Sequence, residues 1–185
     1  PWYLSPMIYP SQDANNPIVT NLDGIKFQFS SPIEPLKNDI KKTILLQSSQ
    51  YSKLIGAPFE VSLRMASEEL GPKDFTGSGN YPVAVLLEGK FHSVYENRVL
   101  PFKDTSFKNI GKENKMIVIS DGDVIKNQLN KDGREVELGL DQRTGILYAN
   151  KDFMMNCVNY LLDDNGLINI RSKEVNLPIL DKEKV

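Results

Sequence analysis

Three short apolar runs, each closed by small or polar residues, set the frame that the rest of the chain must fit. They are Thr43-Ile44-Leu45-Leu46 before Gln47-Ser48-Ser49, Val83-Ala84-Val85-Leu86-Leu87 before Glu88-Gly89, and Met116-Ile117-Val118-Ile119 before Ser120-Asp121-Gly122-Asp123. Runs of this length suit strands covered on both faces, as in a parallel sheet with helices packed against it. The expected fold class is therefore α/β, with a mostly parallel or mixed central sheet and flanking helices. In open sheets of that kind ligands bind beyond the carboxyl ends of the strands. That makes Ser48, Ser49, Glu88, Asp121 and Asp123 the candidate ligand- or partner-binding residues, on loops after Gln47, Leu87 and Ile119.

Around the three runs the chain offers weaker elements. Pro1 to Pro10 mixes aromatics with prolines and reads as an extended edge segment, followed by a polar loop over Ser11 to Asn16. Ile25-Lys26-Phe27-Gln28-Phe29 alternates as a half-buried strand does. Pro58 to Leu63 is a further strand candidate, and Met65 to Leu70 fits one helical turn. Gly71-Pro72 and Gly77-Ser78-Gly79-Asn80 mark loops, Phe102 and Phe107 are expected to anchor the loop over residues 97–111 to the core, and a short helix is expected over Val124 to Leu129. Asn130-Lys131-Asp132-Gly133 reads as a turn. The clearest helix runs from Asn150 to Leu162, with Asn150 as its N-cap and Asp152 favouring the positive end of the helix dipole. Its apolar stripe is Phe153, Met154, Cys157, Val158, Leu161 and Leu162. Asn165-Gly166 reads as its stop, and Leu167 to Arg171 as one more strand.

Composition narrows the function. A net charge of -2, with no dense Lys/Arg block, gives no electrostatic case for nucleic acid. One cysteine and one histidine make a Cys/His zinc site implausible and exclude an internal disulfide. No stretch approaches the roughly 20 apolar residues that cross a bilayer. The length suits one domain, 1–185. A chain that begins at Pro1 is expected to be a piece of a longer protein.

Three constellations invite chemistry. Asp121 and Asp123 at a strand end suit a divalent cation, although aspartates two residues apart are also ordinary turn formers. Cys157 with His92 could make a nucleophile and its base, as in hydrolases and amidotransferases, but Cys157 falls within the apolar stripe of a helix rather than at a strand-to-helix turn. Glu88, Lys90 and His92 share a strand face, which describes a solvated edge as well as a site. No Gly-rich phosphate loop or nucleophile elbow is present. No catalytic residue, cofactor or metal follows from the residues.

Six longer stretches remain, residues 16–25 (Asn16-Pro17-Ile18 to Ile25), 42–52 (Lys42 to Ser52), 83–91 with Glu96-Asn97-Arg98, Tyr148 to Phe153, Val158 to Leu161 and Gly166 to Ile168. Together they resemble the GldG family of gliding-motility-associated ABC transporter auxiliary proteins of Bacteroidetes. The resemblance implies a non-catalytic, periplasmic domain of a membrane-anchored protein, with a glutamine-amidotransferase-like, Rossmann- or flavodoxin-like fold. It implies a membrane permease and an ATPase subunit as partners, with membrane contact only through other parts of the parent chain. A hydrolase or amidotransferase-like enzyme on the same type of sheet is the alternative.

Overall fold

The computed structural model describes residues 2–11, 15–75, 79–101 and 105–163. Near the amino end, β1 (Met7–Ile8) pairs antiparallel with β2 (Ile25–Lys26). The pairing continues beyond the strands, since Phe27 N–H donates to Pro6 O (2.9 Å) and Phe29 N–H to Leu4 O (2.8 Å). The three apolar runs fall in β3 (Lys41–Gln47), β4 (Pro82–His92) and β5 (Ile110–Ile119), which form one sheet in the order β3-β4-β5. Both pairings in that sheet are antiparallel.

Neither the parallel or mixed α/β sheet expected from the runs nor the glutamine-amidotransferase-like, Rossmann- or flavodoxin-like fold implied by the resemblance is what the chain forms. Both sheets are antiparallel throughout, and one α-helix accompanies them among the described residues. The physical reason lies in the connections. Parallel neighbours need a crossover, usually a helix that packs on the sheet. Between β3 and β4 the described residues form only short 3₁₀ turns, Leu63–Ser67 and Pro72–Asp74, and among the described residues no helix links β4 to β5. The strand candidate at Pro58 to Leu63 belongs to this irregular stretch.

Register explains why the runs looked buried on both faces. Lys41, Glu88 and Lys115 stand in one cross-strand row, and Thr43, Leu86 and Ile117 in the next. On the opposite face, Lys42, Leu87 and Met116 form one row and Ile44, Val85 and Val118 another. The first face joins the core, where Ala84, Leu86 and Leu46 are buried and Ile117 and Ile119 pack against them. On the second face Val85 is closed off, yet Ile44 (48% exposed), Met116 (47%) and Val118 (37%) remain open. Apolar side chains occupy solvent-facing positions here, and the alternation that marks a half-buried strand is hidden.

The helix α1 (Asn150–Leu162) occupies the span its periodicity predicts. Phe153 and Cys157, one turn apart, are buried against Ile18, Ile25, Phe27 and Val124. Burying a side chain such as Phe153 contributes about 1.5–3 kcal/mol. The rest of the expected stripe is less used, since Val158 and Leu162 are exposed. Phe107 is partly buried but is not among the side chains packed against the core. Met65 falls in a 3₁₀ turn, and Val124 in another at Gly122–Ile125, which takes the place of the expected short helix. Asn165-Gly166, Leu167 to Arg171, Phe102, Gly77-Ser78 and part of the polar loop lie outside the described residues.

Asn150 is not the N-cap. That position is Ala149, and Asn150 is the first helical residue, 3% exposed. Its Oδ1 accepts from Lys26 N–H (2.9 Å), while Nδ2 donates to Lys26 O (2.8 Å) and to Val124 O (3.1 Å). One amide therefore clasps α1, β2 and the turn after β5. Nearby, Gly139 has φ +92, and a Cβ there would collide with Tyr148 O. Only glycine suits that conformation and that approach. Asn150→Ala leaves three backbone groups without partners. It is expected to lower stability by at least about 3 kcal/mol, at roughly 1–3 kcal/mol for each of the three groups left unpaired, as read by urea denaturation.

Candidate functional site

Antiparallel pairing decides which candidate residues can meet. Ser48 N–H donates to Tyr81 O (2.8 Å), and Ser48 Oγ accepts from Tyr81 N–H (3.0 Å). Ser49 O accepts from Asn80 N–H (3.2 Å), and Ser49 Oγ accepts from Tyr51 N–H (3.2 Å). At the end of β5, Ser120 N–H donates to Val83 O (2.9 Å), so Asp121 leaves the sheet at the end where Ser48 and Ser49 enter their loop. Glu88 lies opposite Lys41 and Lys115, towards the other end of β4. It is six positions along the strand from Pro82, about 20 Å at the usual rise. The sheet brings the serines and Asp121 to a common end and places Glu88 away from them.

Each candidate side chain has a local partner. Asp121 Oδ1 accepts from Asp123 N–H (2.8 Å) and caps the 3₁₀ turn Gly122–Ile125, while Oδ2 accepts from Gln28 N–H. One carboxylate ties the end of β5 to the chain just past β2. Asp123 Oδ1 pairs with Lys126 Nζ at 3.2 Å. Among the described residues no group of three His, Cys, Asp or Glu side chains is placed to hold a metal ion.

Glu88 is the centre of a second cluster. Its Oε2 pairs with Lys41 Nζ (2.8 Å) and its Oε1 accepts from Tyr160 Oη (3.0 Å). Lys41 holds the carboxyl below its ordinary value against the opposing effect of burial, with Tyr160 adding to Lys41. Burial, then the hydrogen bond to Glu88, pushes the Tyr160 phenol up. Lys115 Nζ sits 4.8 Å from the centre of the Tyr160 ring and donates to Asp163 O (3.0 Å). A cation from β5 thereby caps the carboxyl end of α1, where the helix dipole favours positive charge. The cluster locks the helix to the sheet.

The cysteine and histidine are not brought together. Cys157 is 3% exposed within the core, and burial pushes its thiol up to about 12. At neutral pH it carries almost no thiolate, the form that attacks. His92 ends β4, where its Nδ1 lies 2.6 Å from Glu96 Oε2. A small cavity between Lys26, Gln28, Asp123, Lys126 and Glu137 measures about 30 Å³. That is room for water rather than for an organic ligand, which needs some 300–1,000 Å³.

Two structural groups escaped the sequence reading. Asp141 accepts from Lys26 Nζ (2.8 Å) and from Arg143 and Thr144 N–H, and Lys26 is the largest cause holding it below its ordinary value. The aspartate followed by Gln142-Arg143-Thr144 carries a turn signal, but nothing local announces a partner 115 residues away. Tyr160 lies outside the apolar stripe read from the helix, and only the sheet supplies its partner Glu88.

A family model described as an ABC-type uncharacterized transport system matches residues 1–157. No curated protein and no solved structure matches the chain.

Removing the cap and tether in Asp121→Ala is expected to cost about 1–2 kcal/mol, measured by thermal melting. Millimolar Mg²⁺ or Ca²⁺ is expected to leave both melting temperatures unchanged, and a rise in the unsubstituted chain alone would restore a cation site. Asp141 is depressed below 3.8 on folding. Its stabilisation is fully present above that ordinary value and is lost as the pH falls through the folded value. Asp141→Asn should therefore be less stable at neutral pH and flatter on the acid limb, as read by urea titrations across that range.

Proposed function

The chain belongs to the auxiliary family of ABC-type uncharacterized transport systems, and from that premise we propose that it acts in such a complex by contact, without catalysis of its own. The observation that carries this reading is the family match over residues 1–157. The chemistry of the candidate side chains supports it. Asp121 is spent on a turn and a tether, Glu88 on fastening α1, and Cys157 on the core. A nucleophile needs a base within hydrogen-bond reach, and His92 is held instead by Glu96.

In its specific form the proposal is a GldG-like subunit linked to gliding motility, working beside a membrane permease and a cytoplasmic ATPase. Nucleotide hydrolysis would then belong to the ATPase, in keeping with the lack of a phosphate loop in this sequence. The domain would stand on the periplasmic side of the inner membrane. No helix among the described residues is long and apolar enough to cross a membrane, so in this reading attachment comes from other parts of the parent protein.

Tagged parent protein extracted in mild detergent is expected to co-purify with a permease and an ATPase subunit. Recovery of the parent protein alone would remove the reading.

A further inference from the structure

β5 is an outer strand of its sheet, and the bond from Ser120 N–H to Val83 O tells which of its backbone groups face inward. In an antiparallel strand these groups alternate in direction. Those of Met116 and Val118 accordingly turn towards β4, and those of Lys115, Ile117 and Ile119 turn outward. The N–H of Lys115 is met by Asn114 Oδ1 (2.8 Å). Among the described residues none bonds to the outward groups of Ile117 or Ile119. The same stretch presents Met116 (47% exposed) and Val118 (37%) on one side. Lys112, at its start, is exposed and enters no ion pair with a described residue.

We infer that the outer edge of β5, from Lys112 to Ile119, is a docking site for an extended segment of another subunit, which joins the sheet as an added strand. The segment carries apolar residues at alternate positions, over Met116 and Val118, and a carboxylate that meets Lys112. Backbone groups in series are satisfied by another backbone, while alternate side chains supply specificity. A helix lying across this face fits less well, because Val85 at its middle is already closed off at 1% exposure. A bilayer fits less well too, since hydrocarbon leaves outward N–H and C=O groups unsatisfied. Soluble proteins blunt such edges with charge, and the last four residues of β5, Met116 to Ile119, carry none.

The source of the strand rests on the auxiliary-subunit reading above, and the test separates the two. Met116→Lys with Val118→Lys places charge at two exposed positions and should leave the melting temperature within a few degrees. In the co-purification from detergent, this double variant is expected to recover at least about tenfold less permease and ATPase than the unsubstituted parent, as charged edges resist strand addition. Equal recovery overturns the docking edge and leaves the auxiliary reading standing. Loss of partners from the unsubstituted parent removes that reading, and the source of the strand with it. A dimer seen by sedimentation of the isolated chain and abolished by the double variant would give the edge to a second copy, against the proposal. Slow amide exchange at Ile117 and Ile119 in the isolated chain, relieved by deleting residues 164–185, would give it to the chain's own end and overturn the proposal equally.

Discussion

The antiparallel pairing of β4 with both its neighbours is the constraint on which the rest of the structure depends. One strand carries all of the larger sheet's pairing, with β3 on one side and β5 on the other. That register puts Leu86 and Ala84 into the core beside Ile117 and Ile119, so a slip by one residue would expose them. It also sets Lys41 and Lys115 on either side of Glu88, which then takes the Tyr160 hydroxyl and fixes α1 across the same face. Core, ion pair and helix position follow from one set of hydrogen bonds.

Polar groups do the fastening where apolar packing gives no direction. Asn150, Asp121 and Asp141 each bind backbone or side-chain groups distant in sequence, and each lies where two elements meet. A buried amide that satisfies three backbone groups forms no general adhesive, because only one arrangement meets all of them. The carboxylates that looked like chemistry at strand ends serve the same purpose. A fold with long irregular connections needs such ties, since regular hydrogen bonding leaves those connections unfastened.

The legible part of the structure was local. β3, β4, β5 and α1 fall where apolar runs and helical spacing place them, because each pattern is complete within a dozen residues. Sheet direction was not legible, since apolar residues on the open face of β4 and β5 imitate the doubly covered strands of a parallel sheet. Asn150 shows the same limit at one residue. Its position before an apolar stripe signals a cap, and only the nearness of Lys26 and Val124 draws its amide inward.

By itself the sequence determined β3, β4, β5 and α1 and, at the level of an ABC-type transport auxiliary, the family, since strand and helix periodicity and the family match over residues 1–157 reside in the order of residues. Tertiary structure decided which strand ends share a side of the sheet and which carboxylates are already engaged. It also decided that an edge strand keeps Ile117 and Ile119 unmet by any described residue. The physical reason is that pairing direction depends on how the chain returns between strands, and partners such as Lys26 and Asp141 meet only after that return is made.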